Sequence, residues 1–432
     1  MELIEKILCE ENLQKAIRKV KKNKGAPGVD KMTVQEVEEW FNQYKEDLIS
    51  KILNKQYKPM PVKRVYIPKP NGKQRPLGIP TVVDRVIQQA MLQVLSEIYE
   101  PVFSEHSYGF RPNRSAHMAM EEVLSYLNEG YEWIVDLDIE KFFDTVNHDK
   151  LISILRERVN DSKTLHLIRA YLQAGILDKG LVSSSAIGTP QGGPISVILS
   201  NIYLDKFDKE LESRNLRFAR YADDCIIFVK SEMSANRVMK SVTSWLERKL
   251  FLKVSAKKTK VVRPTKGQFL GFTFYKAKTV WKCTPTKDRK KRLYSNIQKY
   301  LERKHAASRP LSVTFEKLNQ MIRGWIQYFK ISSIKVFLEE FGQWLRHKVR
   351  CIIIKQWKRP RTIYKNLMKL NIACRYKFTH DEIFKCANSR LGWYRRSTGN
   401  IVNFLLSPTV LGIKKGDRPG LVNPLIYYLE IL

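Results

Sequence analysis

The sequence predicts an α+β fold in which an antiparallel sheet with flanking helices gives way to a strongly basic, all-helical region. Three observations carry this expectation. Two stretches, 62–79 and 217–229, set apolar and β-branched runs on either side of short turn signals, as antiparallel hairpins do. Between them, Trp133-Ile-Val-Asp-Leu-Asp-Ile139 alternates with a period of two and stands among amphipathic helical segments. Beyond residue 275 the strand signals stop and cationic residues take over.

The chain has 432 residues, 43% of them hydrophobic and 11% aromatic, enough to fill the cores of two or three domains. Its 77 Lys and Arg against 43 Asp and Glu leave a net charge of +34, so the expected partner is a polyanion, and nucleic acid in preference to a membrane surface. No run of 18 apolar residues occurs, and the acidic start Met1-Glu-Leu-Ile-Glu-Lys6 has the pattern of neither a secretory signal nor a transit peptide. Six scattered cysteines (Cys9, Cys225, Cys283, Cys351, Cys374, Cys386) form no C-x-x-C pair, which argues against a disulfide framework and a zinc site and for reduced thiols in the cytosol.

Taken in order, residues 1 to about 24 read as one helix, stopped by Gly25-Ala-Pro-Gly28, and Val34 to Leu53 as a second, whose Trp40, Phe41 and Ile49 are packing residues. Val62–Ile67 and Gln74–Ile79 flank Asn71-Gly72, the favoured turn of a two-stranded hairpin, which projects Lys63, Arg64, Lys69, Lys73 and Arg75. Thr81, with Asp84 three residues on, caps a helix that buries Val83, Val86, Ile87, Ala90, Met91, Val94 and Ile98. Ser107-Tyr-Gly-Phe-Arg-Pro-Asn-Arg114 has no periodicity; its aromatic, Gly and Arg content suits a loop that approaches a sugar-phosphate backbone.

On the strand 133–139, Asp136 and Asp138 share one face with Ile134. Same-face acids on a mostly apolar strand cost several kcal/mol or more if buried unpaired, and a metal supplies the missing partner. Gly188-Thr-Pro-Gln-Gly-Gly-Pro194 opens a helix (Ile195–Leu204) whose backbone N–H groups can face a phosphate or a base, though no Walker-type Lys follows. In Arg217-Phe-Ala-Arg-Tyr-Ala-Asp-Asp-Cys-Ile-Ile-Phe-Val229 the adjacent acids Asp223 and Asp224 fall at the turn of a hairpin, where hard Mg²⁺ would find carboxylate oxygens. A helix (about Ala235–Leu250), a basic strand (Lys253–Val261) and Gln268–Tyr275 follow.

Residues 276–375 carry 26 Lys and Arg against 5 Asp and Glu, a surplus of 21 that is most of the chain's +34. Their basic-aromatic helices, such as Met321–Phe329 and Trp344–Arg350, suit a nucleic-acid groove better than a merely solvated face. If the acids of the 136–138 strand and the 223–224 turn meet on one sheet, they can hold two Mg²⁺ ions about 3.5–4 Å apart, the geometry of nucleotidyl transfer.

Tyr221-Ala-Asp-Asp224, Gly188-Thr-Pro-Gln-Gly-Gly193, Tyr108-Gly-Phe-Arg-Pro112, Asp136-Leu-Asp-Ile-Glu-Lys-Phe-Phe-Asp144 and Ile67-Pro-Lys-Pro70 together resemble the motifs of group II intron-encoded reverse transcriptases, or maturases. Arg323-Gly-Trp-Ile-Gln-Tyr-Phe329 and Gln356-Trp-Lys-Arg-Pro360 extend the likeness to about residue 375, and no Cys/His cluster follows, as in compact relatives without an endonuclease domain. The resemblance implies a right hand: N-terminal extension, fingers and an antiparallel palm over 1–275, a basic helical thumb over 276–375, and a C-terminal extension over 376–432 that is open to nucleic acid.

It also implies roles. Asp138, Asp223 and Asp224 are expected to bind two Mg²⁺, with Mn²⁺ as a substitute, and Asp136 to support them. Lys69 and Arg75 are expected at the dNTP triphosphate, Gln191 at its pocket, and Phe143 as the gate against a ribose 2′-OH. Tyr108, Phe110 and Arg111, with Phe269, Leu270 and Gly271, are expected on template and primer. Ile195 and Val197 replace the usual Leu and Pro of Gly-Pro-Leu-Ser-Pro and are expected to soften the start of their helix. The implied partners are an RNA template, a DNA primer, dNTPs and a group II intron RNA, with a homodimer open, in a bacterial cytoplasm within reach of the nucleoid. Two alternatives stand beside this: a splicing cofactor without polymerase activity, and an intron-independent host repair or defence reverse transcriptase.

Overall fold

A computed structural model of the chain describes residues 2–68, 72, 74–178, 181–183, 188, 192–413 and 419–432. The chain divides into two compact units, Met1–Leu270 and Gly271–Leu432.

The first unit is built on two sheets. One has strands β1 (Val62–Pro68) and β2 (Gln74–Ile79), paired antiparallel from Lys63 opposite Ile79 to Pro68 opposite Gln74. Short strands β4 (Ile176–Asp178) and β5 (Leu181–Ser183) extend it beyond β1. The other sheet contains β3 (Trp133–Asp138), β6 (Arg217–Tyr221), β7 (Asp224–Val229) and β8 (Lys260–Val262), in the order β6-β7-β3-β8 and antiparallel throughout. The strand bearing Asp136 and Asp138 is thus central, hydrogen-bonded on both sides. The β-branched and aromatic residues Ile226, Ile227 and Phe228 are fully buried, as are Tyr203, Leu204, Phe207 and Leu211 of the helix Ser196–Ser213. Burial of each such side chain contributes about 1.5–3 kcal/mol, which anchors β7 against the core.

Two sequence expectations need correction here. The N-terminal helix is two helices, Leu3–Leu8 and Glu10–Lys22, because Cys9 is extended (ψ 148°) and Glu10 and Glu11 then stand favourably at a new helix N-terminus. The basic strand shrinks to Lys260–Val262: Ser255 to Thr259 close a turn instead, with the Thr259 N–H donating to the Ser255 carbonyl at 2.9 Å. The turn carries Lys258. The pairing of Lys63–Pro68 with Gln74–Ile79 and the Thr81 cap, whose hydroxyl accepts from the Asp84 N–H, form as the sequence predicts, while Asn71 of the expected turn and Lys73 lie outside the described residues. The helix after the glycine-rich turn starts at Ser196 with no side-chain cap.

Against the expectation of an all-helical region beyond residue 275, the second unit opens with an antiparallel hairpin, Phe272–Ala277 with Val280–Pro285, and only then continues through the helices Lys287–Tyr300, Leu311–Phe329, Lys335–Trp357 and Pro360–Ala373. Tyr294, Trp325, Phe337, Phe341 and Trp344 pack on one another with ring centroids 4.7–6.0 Å apart. These aromatics therefore hold helices together, and the cations between them supply the polar surface. Residues 376–432 belong to the same unit: the Tyr428 hydroxyl donates to Ser332 O at 2.7 Å and the Asn319 amide to Gly420 O at 2.8 Å. All six cysteines are free. Among the described residues no helix is long and apolar enough to cross a membrane.

Candidate active site

The β6–β7 hairpin closes through Tyr221 paired with Asp224, which corrects the expected Asp223-Asp224 turn by one residue: Ala222 and Asp223 form the turn and Asp224 is the first residue of β7. Ala222 is left-handed (φ 57°), a conformation that a residue with a Cβ adopts at a cost of roughly 1–2 kcal/mol. The register of β3 against β7 sets Asp138 directly opposite Asp224, so acids 86 residues apart in sequence lie side by side at one end of the sheet. Asp136, two residues back on the same face, is half-buried.

Electrostatics follow from this crowding. Desolvation, then the carboxylates of Asp223, Asp138 and Asp136, push the Asp224 carboxyl up to about 6. Asp224 is nevertheless exposed at the surface, so the crowding of four acids is the more telling cause. Burial also raises the Asp136 carboxyl, opposed by Lys260 at 3.6 Å. The Lys258 ammonium donates to both oxygens of Asp138, at 3.0 and 2.9 Å. The Asp138 backbone is pinned by the same turn: its N–H donates to Thr259 Oγ1 and its carbonyl accepts from the Ser255 N–H.

Among the described residues no three His, Cys, Asp or Glu side chains are already gathered as a set of metal donors. The donor chemistry nonetheless fits a hard divalent cation: in-register carboxylates that repel one another, offset by the ammonium groups of Lys258 and Lys260.

Phe143 is half-buried on the short helix Phe142–Thr145, its ring edge-on to that of Phe142 at 5.2 Å. Gly188 is tied to the same segment: its N–H donates to Val146 O at 2.8 Å and its carbonyl accepts from His148 Nε2 at 2.6 Å. At φ +92°, a Cβ there would lie 2.9 Å from Asp144 O, so glycine is required. Arg75 lies exposed on β2, opposite Ile67. Lys69 and Gln191 fall outside the described residues. Phe269 is buried, and Leu270 and Gly271 are both left-handed (φ 52° and 86°).

Two expected template contacts require correction. Tyr108 is buried and donates its hydroxyl to Glu122 at 2.7 Å. Arg111 is buried too, held by Glu100 and by the carbonyls of Ser104 and Ser107. Their side chains stabilise the loop from within, and of the three expected contacts in this loop Phe110, left-handed and 54% exposed, is the one open to a ligand.

Sequence reasoning missed a buried network under the acid turn. Arg220 donates through Nε to Asp208 Oδ1 (2.7 Å), through Nη2 to Asp208 Oδ2 (2.5 Å), and through Nη1 to Asn201 Oδ1 (3.1 Å) and Ala222 O (2.8 Å). The available signal was an Arg inside a mostly apolar strand, directly after the buried Phe218 and Ala219. Lys258 was missed because it looked like one more cation in a basic strand.

A family model described as reverse transcriptase (RNA-dependent DNA polymerase) matches residues 67–274, and one described as the group II intron, maturase-specific domain matches 290–371. Protein YkfC of Escherichia coli (strain K12) is 34% identical over 310 residues, 62% of this chain and 81% of that protein. The chain belongs to the group II intron reverse transcriptase/maturase family. The group II intron-encoded protein LtrA of Lactococcus lactis subsp. cremoris is 39% identical over 206 residues, which are 47% of this chain and only 34% of LtrA. Among solved structures, a chain of a partial Cas6-RT-Cas1–Cas2 complex aligns over 57% of this chain and 43% of its own length, with 24% identity and a TM-score of 0.38. As a family member, the protein is an enzyme of the RNA-directed DNA polymerase class whose chain also carries the maturase-specific domain.

Proposed function

We propose that this family member extends a DNA primer on an RNA template, with Asp138, Asp223 and Asp224 as ligands of two Mg²⁺ ions, and that it binds a group II intron RNA to assist splicing and retromobility. The observation that carries the reading is the register that puts Asp138 across from Asp224, next to Asp223 in the turn. When bound, the ions would activate the primer 3′-hydroxyl and neutralise the leaving pyrophosphate.

The chain's own groups supply the rest. Arg75, with Lys69 and Gln191, would orient the triphosphate and base of the incoming dNTP, cationic donors being suited to phosphate oxygens. Phe143, fixed by Phe142, would crowd a ribose 2′-OH. Phe110 would stack on a template base, and the left-handed pair Leu270-Gly271 would bring backbone close to the primer end. The basic helices over 276–375 would track the sugar-phosphate backbone, with strong salt dependence.

The test is primer extension on an RNA template with Mg²⁺, wild type against Asp223→Ala. cDNA synthesis is expected to disappear while RNA binding stays nearly intact. Substantial synthesis by the variant would remove the metal assignment, and RNA binding without synthesis by the wild type would leave a splicing cofactor.

A further inference from the structure

Directly beneath the acid turn lies a charged pair that the proposed chemistry does not use. Arg220 is 1% exposed and Asp208 0%, and they meet in a two-pronged ion pair. A buried ion pair is weak evidence of stabilisation, because apolar side chains of similar volume often serve a core equally well. Its presence calls for another account. The geometry gives one: Nη1 of Arg220 donates to the carbonyl of Ala222, the left-handed residue at the turn and the one immediately before Asp223.

The same residue anchors a second segment. The Arg220 N–H donates to His106 O at 2.9 Å, and its carbonyl accepts from the Tyr108 N–H at 2.8 Å. Asn201, which accepts from Arg220, donates to Gly109 O at 2.9 Å, and Gly109 packs so tightly that a Cβ on it would lie 2.2 Å from Ala222 N. The helix Ser196–Ser213, the 104–111 loop and the acid turn thus converge on one guanidinium.

We propose that the Arg220–Asp208 pair is a positioning device: it fixes the Ala222 carbonyl and, through it, the directions in which Asp223 and Asp224 present their carboxylates. Neither residue is catalytic, since neither reaches the surface. Asp208 orients the guanidinium fork and neutralises it, Arg220 grips the turn, and Asn201 ties the guanidinium to the loop. The inference rests on reading Asp223 and Asp224 as metal ligands.

The experiment compares wild type with Arg220→Lys and with the apolar double variant Arg220→Met/Asp208→Leu. Four quantities are measured: the thermal midpoint, the affinity for Mn²⁺ alone by electron paramagnetic resonance, amide exchange of residues 217–226, and the primer-extension rate against dNTP concentration. The double variant is expected to fold, to exchange the turn amides faster and to hold Mn²⁺ more weakly. Its kcat is expected to fall about 100-fold, as small misplacements of reacting groups do, with KM for dNTP changed by less than about threefold. Should the double variant not fold, Arg220→Lys, which keeps the charge and cannot form the fork, is expected to show the same split. A folded variant with wild-type Mn²⁺ affinity, turn exchange and kcat overturns the proposal. So does a rate loss that merely follows the folded fraction. A wild type that binds Mn²⁺ and fails to extend primers defeats the polymerase reading alone, because the Mn²⁺ and exchange measurements still judge the positioning role.

Discussion

The Lys258 ammonium lies 3.0 and 2.9 Å from the two oxygens of Asp138, so one lysine engages a whole carboxylate that the proposed chemistry assigns to metal. The lysine side chain is largely exposed, which limits the pair to about 0.2–1 kcal/mol. A divalent ion bound by Asp138 has to displace it. Lys258→Met is therefore expected to tighten Mn²⁺ binding by about two- to fivefold, checked by titration without nucleic acid. Unchanged or weaker binding would show that the contact does not compete with the ion.

Phe143 projects from a four-residue helix whose Phe142 is buried, so its ring has little freedom to move aside. Phe143→Ala is expected to relax the preference for dNTP over rNTP by about tenfold or more, because a site that excludes a hydroxyl by crowding loses that exclusion with the crowding group. Single-nucleotide incorporation kinetics with each nucleotide checks this. Stability should fall as well, since a half-buried ring is removed, but an unchanged nucleotide preference would remove the gate.

The sequence disclosed what local rules govern. The turn signal between the apolar runs of 217–229 announces a hairpin, though it places the turn at Asp223-Asp224, one residue later than the Ala222-Asp223 turn that forms, and the period-two pattern of 133–139 puts both acids on one face. That Asp138 would face Asp224 was open to expectation but not to derivation, because strand pairing between distant segments leaves no mark on either strand. Arg220 was invisible for the opposite reason. Its partners are Asp208 and Asn201, twelve and nineteen residues away on a helix, and a backbone carbonyl, and a hydrogen bond to backbone needs no particular residue type. Tyr108 and Arg111 misled because aromatic and cationic residues in a glycine-containing loop look the same whether they bind nucleic acid or brace the loop from inside.

Gly109 is tested by its smallest possible change. A Cβ there would fall 2.2 Å from Ala222 N and 2.9 Å from Tyr221 C, both backbone atoms that cannot rotate away. Gly109→Ala is thus expected to cost about 1–3 kcal/mol, the usual range for overpacking, and to displace the acid turn. Primer extension should suffer far more than RNA binding, since the displaced atoms adjoin Asp223. A variant with wild-type stability and rate would mean that the loop yields where it is drawn tight.

Asp205 is the acid that the buried network does not satisfy. Burial, then repulsion from Asp208, pushes its carboxyl up to about 6 from the ordinary 3.8, against Lys209, the Ser104 N–H and Arg220. A carboxyl raised in the folded state favours folding fully only below pH 3.8, and that advantage is lost as pH rises through about 6, so at pH 7.5 the charged form is a penalty. The shift corresponds to roughly 3 kcal/mol at 1.36 kcal/mol per unit; since Asp205 is only half-buried, solvent screening reduces this to about 1–2 kcal/mol. Asp205→Asn keeps an oxygen for the Ser104 N–H and removes the charge. It should raise the thermal midpoint at pH 7.5 by about 2–4 °C per kcal/mol, with the gain fading as pH falls below 5. Asp208→Asn, which strips the guanidinium of its counter-charge, should instead destabilise at pH 7.5. Opposite signs for two neighbouring Asp→Asn changes, read in one pH series of melting curves, would separate the acid that repels from the acid that pairs; equal signs would refute that division.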